Sequence, residues 1–518
     1  MDPTDASAAS AARAQQNRRR WRRRVLGSVL IGVWAAVAIY HSNKPLPPGL
    51  RVASLPTTVA ASDLRLLIDT TSADPYGRPL VQQQIFDEML RIIRDARKFI
   101  VLDMYLFNPW RGALRASLSA NNPGLRELSR ELRDALLEAQ RRNPQLQLLV
   151  ITDPVNDAYG GAPSADLALL RRAGIAVVVT DLDRLRDSNP AYSALWRLLV
   201  RWWGASASDG LLPNPLDEGP DKVGIGAWAR LLNIKANHRK VLLADDAGNG
   251  LVGVVGSLNA HDASALHSNM ALAVRGPALL PLLTSELEIA RFSGWQGNLP
   301  APSESSAATA PLTGKAVATA AQLQVLTEGA IRDALLERLR AARNGDEVNI
   351  GMFYLAERDT VRALVAAAAR GVAIRLILDP NKDAFGREKN GIPGRPLAAE
   401  LNAASQGAIK IRWYRTKGEQ FHTKVVMLRS GPRLWVMLGS ANLTRRNLDD
   451  YNLEASLAAD MPLDAPLAGE LLRWFDTLWF NRGPRGSEYT AELGAYVDTS
   501  QGSYWMYRIM EATGLSIF

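Results

Sequence analysis

The sequence predicts an α/β protein made of two similar units, each with a mixed sheet covered by helices. The main observation is an internal repeat, because LQLLVITDPVNDAYGG from Leu146 matches VAIRLILDPNKDAFGR from Val372. In both halves this strand-like run follows a helical pattern and precedes another short strand. Helices and strands that alternate in this order are typical of α/β units. A chain of 518 residues, 47% of them hydrophobic, is long enough for two cores.

A second pair of matching segments lies upstream, where KFIVLDMYLF from Lys98 corresponds to EVNIGMFYLA from Glu347. Asp153 and Asp379 end the matched strands, and we expect turn formation there. From Pro300 the chain reads PAPSESSAATAPLTGKAVATAA, which is typical of a linker. The predicted division is a basic tail at 1–24, an apolar segment at 25–40, a first unit at 60–299, a linker at 300–322 and a second unit at 323–518.

The amino terminus has the layout of a membrane-targeting segment. RRRWRRR ends at Arg24, and the apolar run 25–40 follows at once. As a helix this run is about 24 Å long, slightly short of a usual span, and Trp34 and the flanking arginines can extend it. We expect a single-pass anchor in the cell membrane, with a cytoplasmic amino terminus and a periplasmic body. A cleaved signal peptide, ending near Ala36-Val37-Ala38, is the alternative.

Charge and composition limit the partners. Seven arginines between Arg13 and Arg24 account for most of the net charge of +9, so the body is nearly neutral. This argues against nucleic acid as a partner. The chain has no cysteine, which excludes disulfides and thiol nucleophiles. No cluster of Asp, Glu and His has metal-ligand spacing, so we expect neither a metal nor another cofactor.

The first unit carries an insert at about 184–232 that the second unit lacks. It contains NPAYSALWRLLVRWWG from Asn189, in which tryptophans and leucines alternate with arginines. Such a segment can lie at a lipid interface or pack as a helix on its own domain, and the sequence leaves both open.

Two histidines occur in matching frames followed by matching glycine-serine segments. The first frame has His238, Lys240 and Asp245, then Ser257 and Asn259 in GSLN; the second has His422 and Lys424, then Ser440 and Asn442 in GSAN. Each His-x-Lys begins an apolar run that reads as a strand, so its two side chains are expected on one face.

This set of side chains suits metal-free chemistry on a phosphate ester. One imidazole can attack phosphorus, a second can protonate the leaving alcohol, and lysine and asparagine can hold the phosphate oxygens. Each half supplies one histidine, so two halves complete a site. A monomer is therefore sufficient, and the oligomeric state stays open.

The duplicated HxKxxxxD and GSxN motifs resemble those of the phospholipase D superfamily, over roughly Asp63 to Arg482. The resemblance implies two α/β domains related by a pseudo-twofold axis, a phosphohistidine intermediate and no metal. It implies His238 as nucleophile and His422 as general acid and later base, although the reverse order stays open. The implied catalytic residues are His238, Lys240, Asp245, Asn259, His422, Lys424, Asn442 and Glu454, with Ser257 and Ser440 binding substrate.

The sequence departs from the family pattern in two places. Arg429 stands where the second motif has its acid, and the downstream acid of Asn452-Leu453-Glu454 has no counterpart at the same offset in the first half, which reads Asn269-Met270-Ala271. The two histidines are therefore expected in unequal electrostatic settings, which suits unequal roles.

The chain looks most like bacterial cardiolipin synthases and related phospholipases, which implies a phosphatidyltransferase or phospholipase D that acts on membrane phospholipids. Whether water or a lipid alcohol is the acceptor stays open. The alternatives are a nuclease of the same superfamily and a non-catalytic lipid-binding scaffold. His261 and His267, which follow GSLN, either line the site or are hydrogen-bonded polar residues outside it.

Overall fold

The structure is a computed structural model that describes residues 3–74, 76, 79–110, 125–203, 210–214, 216, 222–247, 250–300, 315–384, 387–516 and 518. The strands of the first half are β1 (Thr57–Val59), β2 (Leu64–Ala73), β3 (Pro79–Gln82), β4 (Phe99–Met104), β5 (Phe107–Asn108), β6 (Gln147–Thr152), β7 (Ala176–Val179), β8 (Leu212–Pro213), β9 (Lys222–Val223), β10 (Lys240–Asp245), β11 (Leu251–Gly256), β12 (Ala260–His261) and β13 (Asn269–Arg275). Those of the second half are β14 (Ala321–Thr327), β15 (Glu347–Met352), β16 (Ala373–Leu378), β17 (Asp383–Ala384), β18 (Arg387–Glu388), β19 (Lys410–Tyr414), β20 (Lys424–Ser430), β21 (Arg433–Gly439), β22 (Ala455–Pro462) and β23 (Thr490–Glu492).

The helices precede, separate and follow these strands. They are α1 (Pro3–Asn43), α2 (Ile85–Asp95), α3 (Leu128–Arg142), α4 (Ala165–Arg172), α5 (Pro190–Leu195), α6 (Ile225–Leu231), α7 (Leu280–Phe292), α8 (Lys315–Ala318), α9 (Gly329–Ala341), α10 (Arg358–Ala369), α11 (Gly394–Ala404), α12 (Arg445–Leu448), α13 (Pro466–Trp479) and α14 (Gln501–Thr513).

Two large mixed sheets repeat one topology. The first has the order β3-β2-β13-β11-β10-β4-β6-β7, and the second has β1-β14-β22-β21-β20-β15-β16-β19-β23. In both, the strand that follows a histidine motif pairs antiparallel with the first strand of a parallel trio. The predicted α/β fold with two similar mixed sheets is therefore confirmed.

The sheets face each other across a central core, and each has a second core beneath its helices. Along β10, Val241 and Leu243 lie in the central core, whereas Leu242 and Ala244 lie in the core shared with α2 and α3. Successive residues of a strand point to opposite faces, so a continuous apolar run indicates a strand that is buried on both sides. The two sheets thus share a central core to which α7 and α13 also contribute, and other helices of each half pack on the outer face of its sheet.

The chain enters this body through α1. Its segment Gln15–Asn43 is long and apolar enough to cross a membrane, and the helix also includes the arginine cluster, which the sequence placed in a separate tail. After α1, β1 joins the edge of the second sheet before the chain enters the first.

The predicted linker falls largely on 301–314, which lie outside the described residues. The other predicted domain boundaries stay predictions.

A fully buried arginine joins the two halves. Arg239 donates to Glu286 of the first half (3.0 Å) and to Glu328 of the second (2.6 Å), and all three side chains are inaccessible to solvent. Glu328 also accepts a hydrogen bond from the backbone N–H of Glu454 (3.1 Å). Buried charges are costly unless they are paired, so this network depends on every member.

We expect Arg239→Met to destabilise the protein by about 3–5 kcal/mol, because it leaves two buried carboxylates without their cation. Arg429→Ala is the matched control, since Arg429 forms an exposed ion pair with Glu347 at 3.4 Å. Its effect should stay within about 0.5 kcal/mol. Urea unfolding followed by tryptophan fluorescence measures both, and equal shifts in the two variants would contradict the prediction.

Candidate active site

Both motif histidines lie just before their strands, and the expectation that histidine and lysine share a strand is wrong in this detail. β10 begins at Lys240 and β20 at Lys424. The residues that precede each of these strands pair with the backbone of the opposite half. In the first half, the N–H of His238 donates to Leu453 O (2.9 Å). In the second half, Gln420 O accepts from the N–H of Ser268 (3.0 Å). The backbone of each histidine segment is therefore paired with a segment distant in sequence, and this pairing replaces an extension of β10 or β20.

Two aspartates hold the backbone of the segments that precede the motif histidines. Asp153 accepts from the N–H of Val155 and the N–H of Asn237, both at 2.7 Å. Asp379 accepts in the same way from Asn381 (2.6 Å) and Phe421 (2.7 Å). Each carboxylate therefore forms the expected turn and also holds the residue that precedes a motif histidine.

Each histidine ring is held by a side chain from the other half. His238 Nδ1 lies 2.8 Å from Glu454 Oε1, and His422 Nδ1 lies 3.1 Å from Asn269 Oδ1. Asn269 is the structural counterpart of Glu454, whereas the sequence offset placed Ala271 there. The segment between the motif serine and this partner is two residues shorter in the first half than in the second. An equal sequence offset therefore points to Ala271 and misses Asn269.

The motif serines orient these partners. Ser440 donates to the Glu454 carboxylate and accepts from the Ala455 N–H (3.0 Å). Ser257 donates to Asn269 Oδ1 (3.0 Å) and accepts from the Met270 N–H (3.1 Å). Both hydroxyls are therefore engaged within the protein, and their predicted role in binding substrate stays a prediction.

The motif lysines lie beside the histidines, each over an aromatic ring that the sequence did not single out. Lys240 Nζ donates to His238 O (2.6 Å) and lies 4.8 Å from the Tyr105 ring centroid. Lys424 Nζ donates to His422 O (2.8 Å) and lies 5.5 Å from the Phe353 ring centroid. The same rings also pack on the histidines. Tyr105 and Phe353 directly follow β4 and β15, within the matched segments KFIVLDMYLF and EVNIGMFYLA, and this match is the signal that could have found them.

The asparagines of GSLN and GSAN, Asn259 and Asn442, complete the group. Both side chains are buried, and within the described part of the chain neither Oδ1 atom has a hydrogen-bond partner. A buried amide left unsatisfied in both halves fits a position that contacts substrate.

Burial and mutual repulsion keep the cationic groups of the site weakly basic. Burial, with the charges of Lys240 and Lys424, lowers the pKa of His238 to about 4 against the opposing effect of Glu454. Burial and then Lys424 hold the pKa of His422 well below its usual value, and His238 adds to this effect. Burial lowers the pKa of Lys240 to about 7. A bound anion would stabilise the protonated forms, so the site is suited to a phosphate group.

Two further histidines lie in this region. The His267 ring centroid is 5.8 Å from that of His422, and among the described residues neither ring nitrogen of His267 has a hydrogen-bond partner. His261 Nδ1 lies 3.2 Å from Ser264 Oγ. His267 thus lines the site, beside the histidine that is expected to act as general acid.

Asp245 is placed outside this group, at the far end of β10. It lies five residues beyond Lys240, or about 17 Å along an extended strand. Its carboxylate accepts from the backbone N–H groups of Arg97 (3.0 Å), Lys98 (2.6 Å) and Phe99 (2.9 Å). In the structure it therefore fastens the end of β10 to the start of β4. Among the described residues no group of three or more His, Asp and Glu could hold a metal ion.

Comparisons with known proteins give a family match and similar solved structures. Residues 335–479 match the family described as "Cardiolipin synthase, PLD-like domain". The structure is similar to phosphatidylserine synthase of Haemophilus influenzae Rd KW20, with a TM-score of 0.52 and 11% identity over 89% of this chain and 96% of that one. A comparison with curated proteins gives no match.

A second solved structure, the phospholipase D family member Nuc of Salmonella typhimurium, covers 31% of this chain and 95% of its own. It is 23% identical, and its TM-score of 0.25 is too low to carry an argument. The first likeness establishes the fold, and the family match falls on the half that contains His422, Lys424 and Asn442. Together with the duplicated site, these findings support the assignment of the chain to the phospholipase D superfamily, with a PLD-like domain over residues 335–479.

Proposed function

We propose that this protein transfers phosphatidyl groups between membrane lipids, as a phosphatidyltransferase of the cardiolipin synthase kind. The observation that supports the proposal most is the pair of buried His-x-Lys groups, in which each histidine is held by the opposite half. The apolar helix α1 and the description of the matching family support a lipid substrate.

In the first step, His238 Nε2 attacks the phosphorus of a phospholipid. A P–N bond forms as the bond from phosphorus to the head-group oxygen breaks, and protonated His422 gives its proton to that oxygen. Glu454 accepts from Nδ1 of His238, which stabilises the positive charge that develops on the ring. His422 faces a neutral amide in Asn269, so its proton is held less tightly. This difference supports the assignment of His238 as nucleophile.

In the second step, His422 takes a proton from an entering alcohol, whose oxygen attacks the phosphorus as the P–N bond breaks. A hydroxyl of a second phosphatidylglycerol gives a cardiolipin and regenerates His238, whereas water gives phosphatidic acid. Lys240, Lys424 and the two asparagines would hold the charged phosphate oxygens in both steps.

We further propose that α1 crosses the cell membrane with its arginines in the cytoplasm, which places both sheets in the periplasm. A single chain would then carry a complete site at the membrane surface.

The test is to incubate the full chain with phosphatidylglycerol vesicles and to analyse lipids and released glycerol by mass spectrometry. We expect glycerol together with cardiolipin, or together with phosphatidic acid if water is the acceptor. His238→Ala and His422→Ala should each lower the rate on the order of 10⁴-fold. No lipid change, with wild type and His238→Ala alike, would refute the proposal, and degradation of single-stranded DNA instead would favour the nuclease alternative.

Asp245→Ala should separate stability from catalysis. It removes the acceptor of three backbone N–H groups at the far end of β10, so we expect a loss of about 1–3 kcal/mol of stability. The kcat at a temperature where the variant is folded should stay within about twofold of wild type, because no reacting group is touched. A loss in kcat comparable to that of His238→Ala would place Asp245 in the catalytic group after all.

Asn269→Asp should change the pH dependence of the reaction. A carboxylate next to Nδ1 raises the pKa of His422, so the ring stays protonated at higher pH. If His422 is the general acid, the alkaline limb of the kcat–pH profile moves upward by about one unit or more. Asn269→Ala is the control without the charge. An unmoved alkaline limb in Asn269→Asp would speak for the reverse assignment of the two histidines.

A further inference from the structure

The insert of the first half forms a helical segment beside α1. α5 continues without a break into residues 196–203, and this segment, residues 190–203, is called the insert helix below. One of its faces is packed, since Trp196 and Arg197 are buried and Arg197 pairs with Asp187 at 2.7 Å. This face anchors the segment to its own domain, as one of the two sequence-based interpretations expected.

The opposite face is apolar and open. Leu195, Leu199 and Trp202 are 48%, 62% and 76% exposed. Their spacing of four and three residues places them on one side of the helix. Large apolar side chains grouped on an exposed face are expected to have a partner.

The contacts of α1 set the depth of this face relative to the proposed membrane. Trp34 Nε1 donates to Ala191 O (3.0 Å), and the backbone of Asp187 donates to His41 O (2.9 Å). Trp34 lies six residues before the end of the apolar run at Tyr40, which is about 9 Å along a helix. The insert helix therefore lies beside the last turns of the apolar run, at the depth where interfacial helices bury their apolar faces.

The charges around the insert helix match this position. Arg201 is partly exposed, 5.7 Å from the Trp202 ring centroid and 3.4 Å from Asp183. Lys44 Nζ donates to Asp183 O (2.6 Å) at the end of α1. Cations at this level lie near the phosphates of lipid head groups, with their stems along the apolar surface.

We infer that the face formed by Leu195, Leu199 and Trp202 inserts into the outer lipid leaflet beside α1. The inference rests on the proposed membrane anchoring, and its occupant is the lipid bilayer. The insertion is coupled to the site, because Asp187 also pairs with Lys235 (2.9 Å), three residues before His238. This pair connects the insert to the segment that leads to His238, so insertion of the insert helix would fix the position of that segment relative to the lipid surface.

The natural absence of cysteine allows a direct test. Leu199→Cys and Trp202→Cys are made singly in the full-length His238→Ala protein, labelled with a polarity-sensitive fluorophore and reconstituted in phosphatidylglycerol and phosphatidylethanolamine vesicles. The matched control is Phe480→Cys, at an exposed aromatic residue after α13. We expect nitroxide-labelled lipids to quench the labels at 199 and 202 at least about threefold more than the control label. Equal quenching at all three positions would overturn the inference, as would disulfide-linked dimers through residue 199, which would make a second copy the occupant.

A kinetic experiment separates this inference from the proposed function. In otherwise wild-type protein, the double substitution Leu199→Ser and Trp202→Ser should raise KM for vesicle lipid about tenfold and leave the rate on monomeric short-chain phosphatidylglycerol unchanged. An unchanged KM on vesicles would contradict membrane insertion of the insert helix and would leave the proposed chemistry intact. If the labels are strongly quenched but the wild-type protein converts no lipid, the proposed function is refuted and the membrane insertion of the insert helix is supported.

Discussion

The structure depends on the exchange of histidine partners between the halves. His238 belongs to the first half and its carboxylate, Glu454, to the second, whereas His422 belongs to the second and its amide, Asn269, to the first. Neither half alone can therefore orient its own histidine. The interface between the two sheets is therefore needed to form the site, in addition to packing the halves together.

The same interface carries a network of fully buried charges. Arg239, the residue between His238 and Lys240, is buried and neutralises one glutamate from each half. Glu328 in turn holds the backbone of Glu454. Because buried charges must be paired, the alignment of the halves and the orientation of the histidine partner are set by one connected network.

A second network links the site to the proposed anchor. Asp187 pairs with Arg197 of the insert helix and with Lys235 on the segment that leads to His238, and its backbone bonds to the end of α1. The distance from lipid to reacting phosphorus would thus be set by buried contacts. Positioning of this kind lowers the entropic cost of bringing substrate and catalytic groups together.

By itself, the sequence determined the α/β class, the duplication, the apolar amino-terminal segment and the residue types of the site. Those features are visible in short local patterns, such as His-x-Lys before an apolar run, because strands and helices impose their own periodicity on the sequence. Only the tertiary structure decided that Asn269 is the partner of His422, that Tyr105 and Phe353 lie under the lysines, and that Asp245 is remote from them. It also decided which face of the insert helix stays open. The reason is that these contacts join residues far apart in the chain, 216 positions in the case of His238 and Glu454, and a shift of two residues in one loop is enough to change the partner.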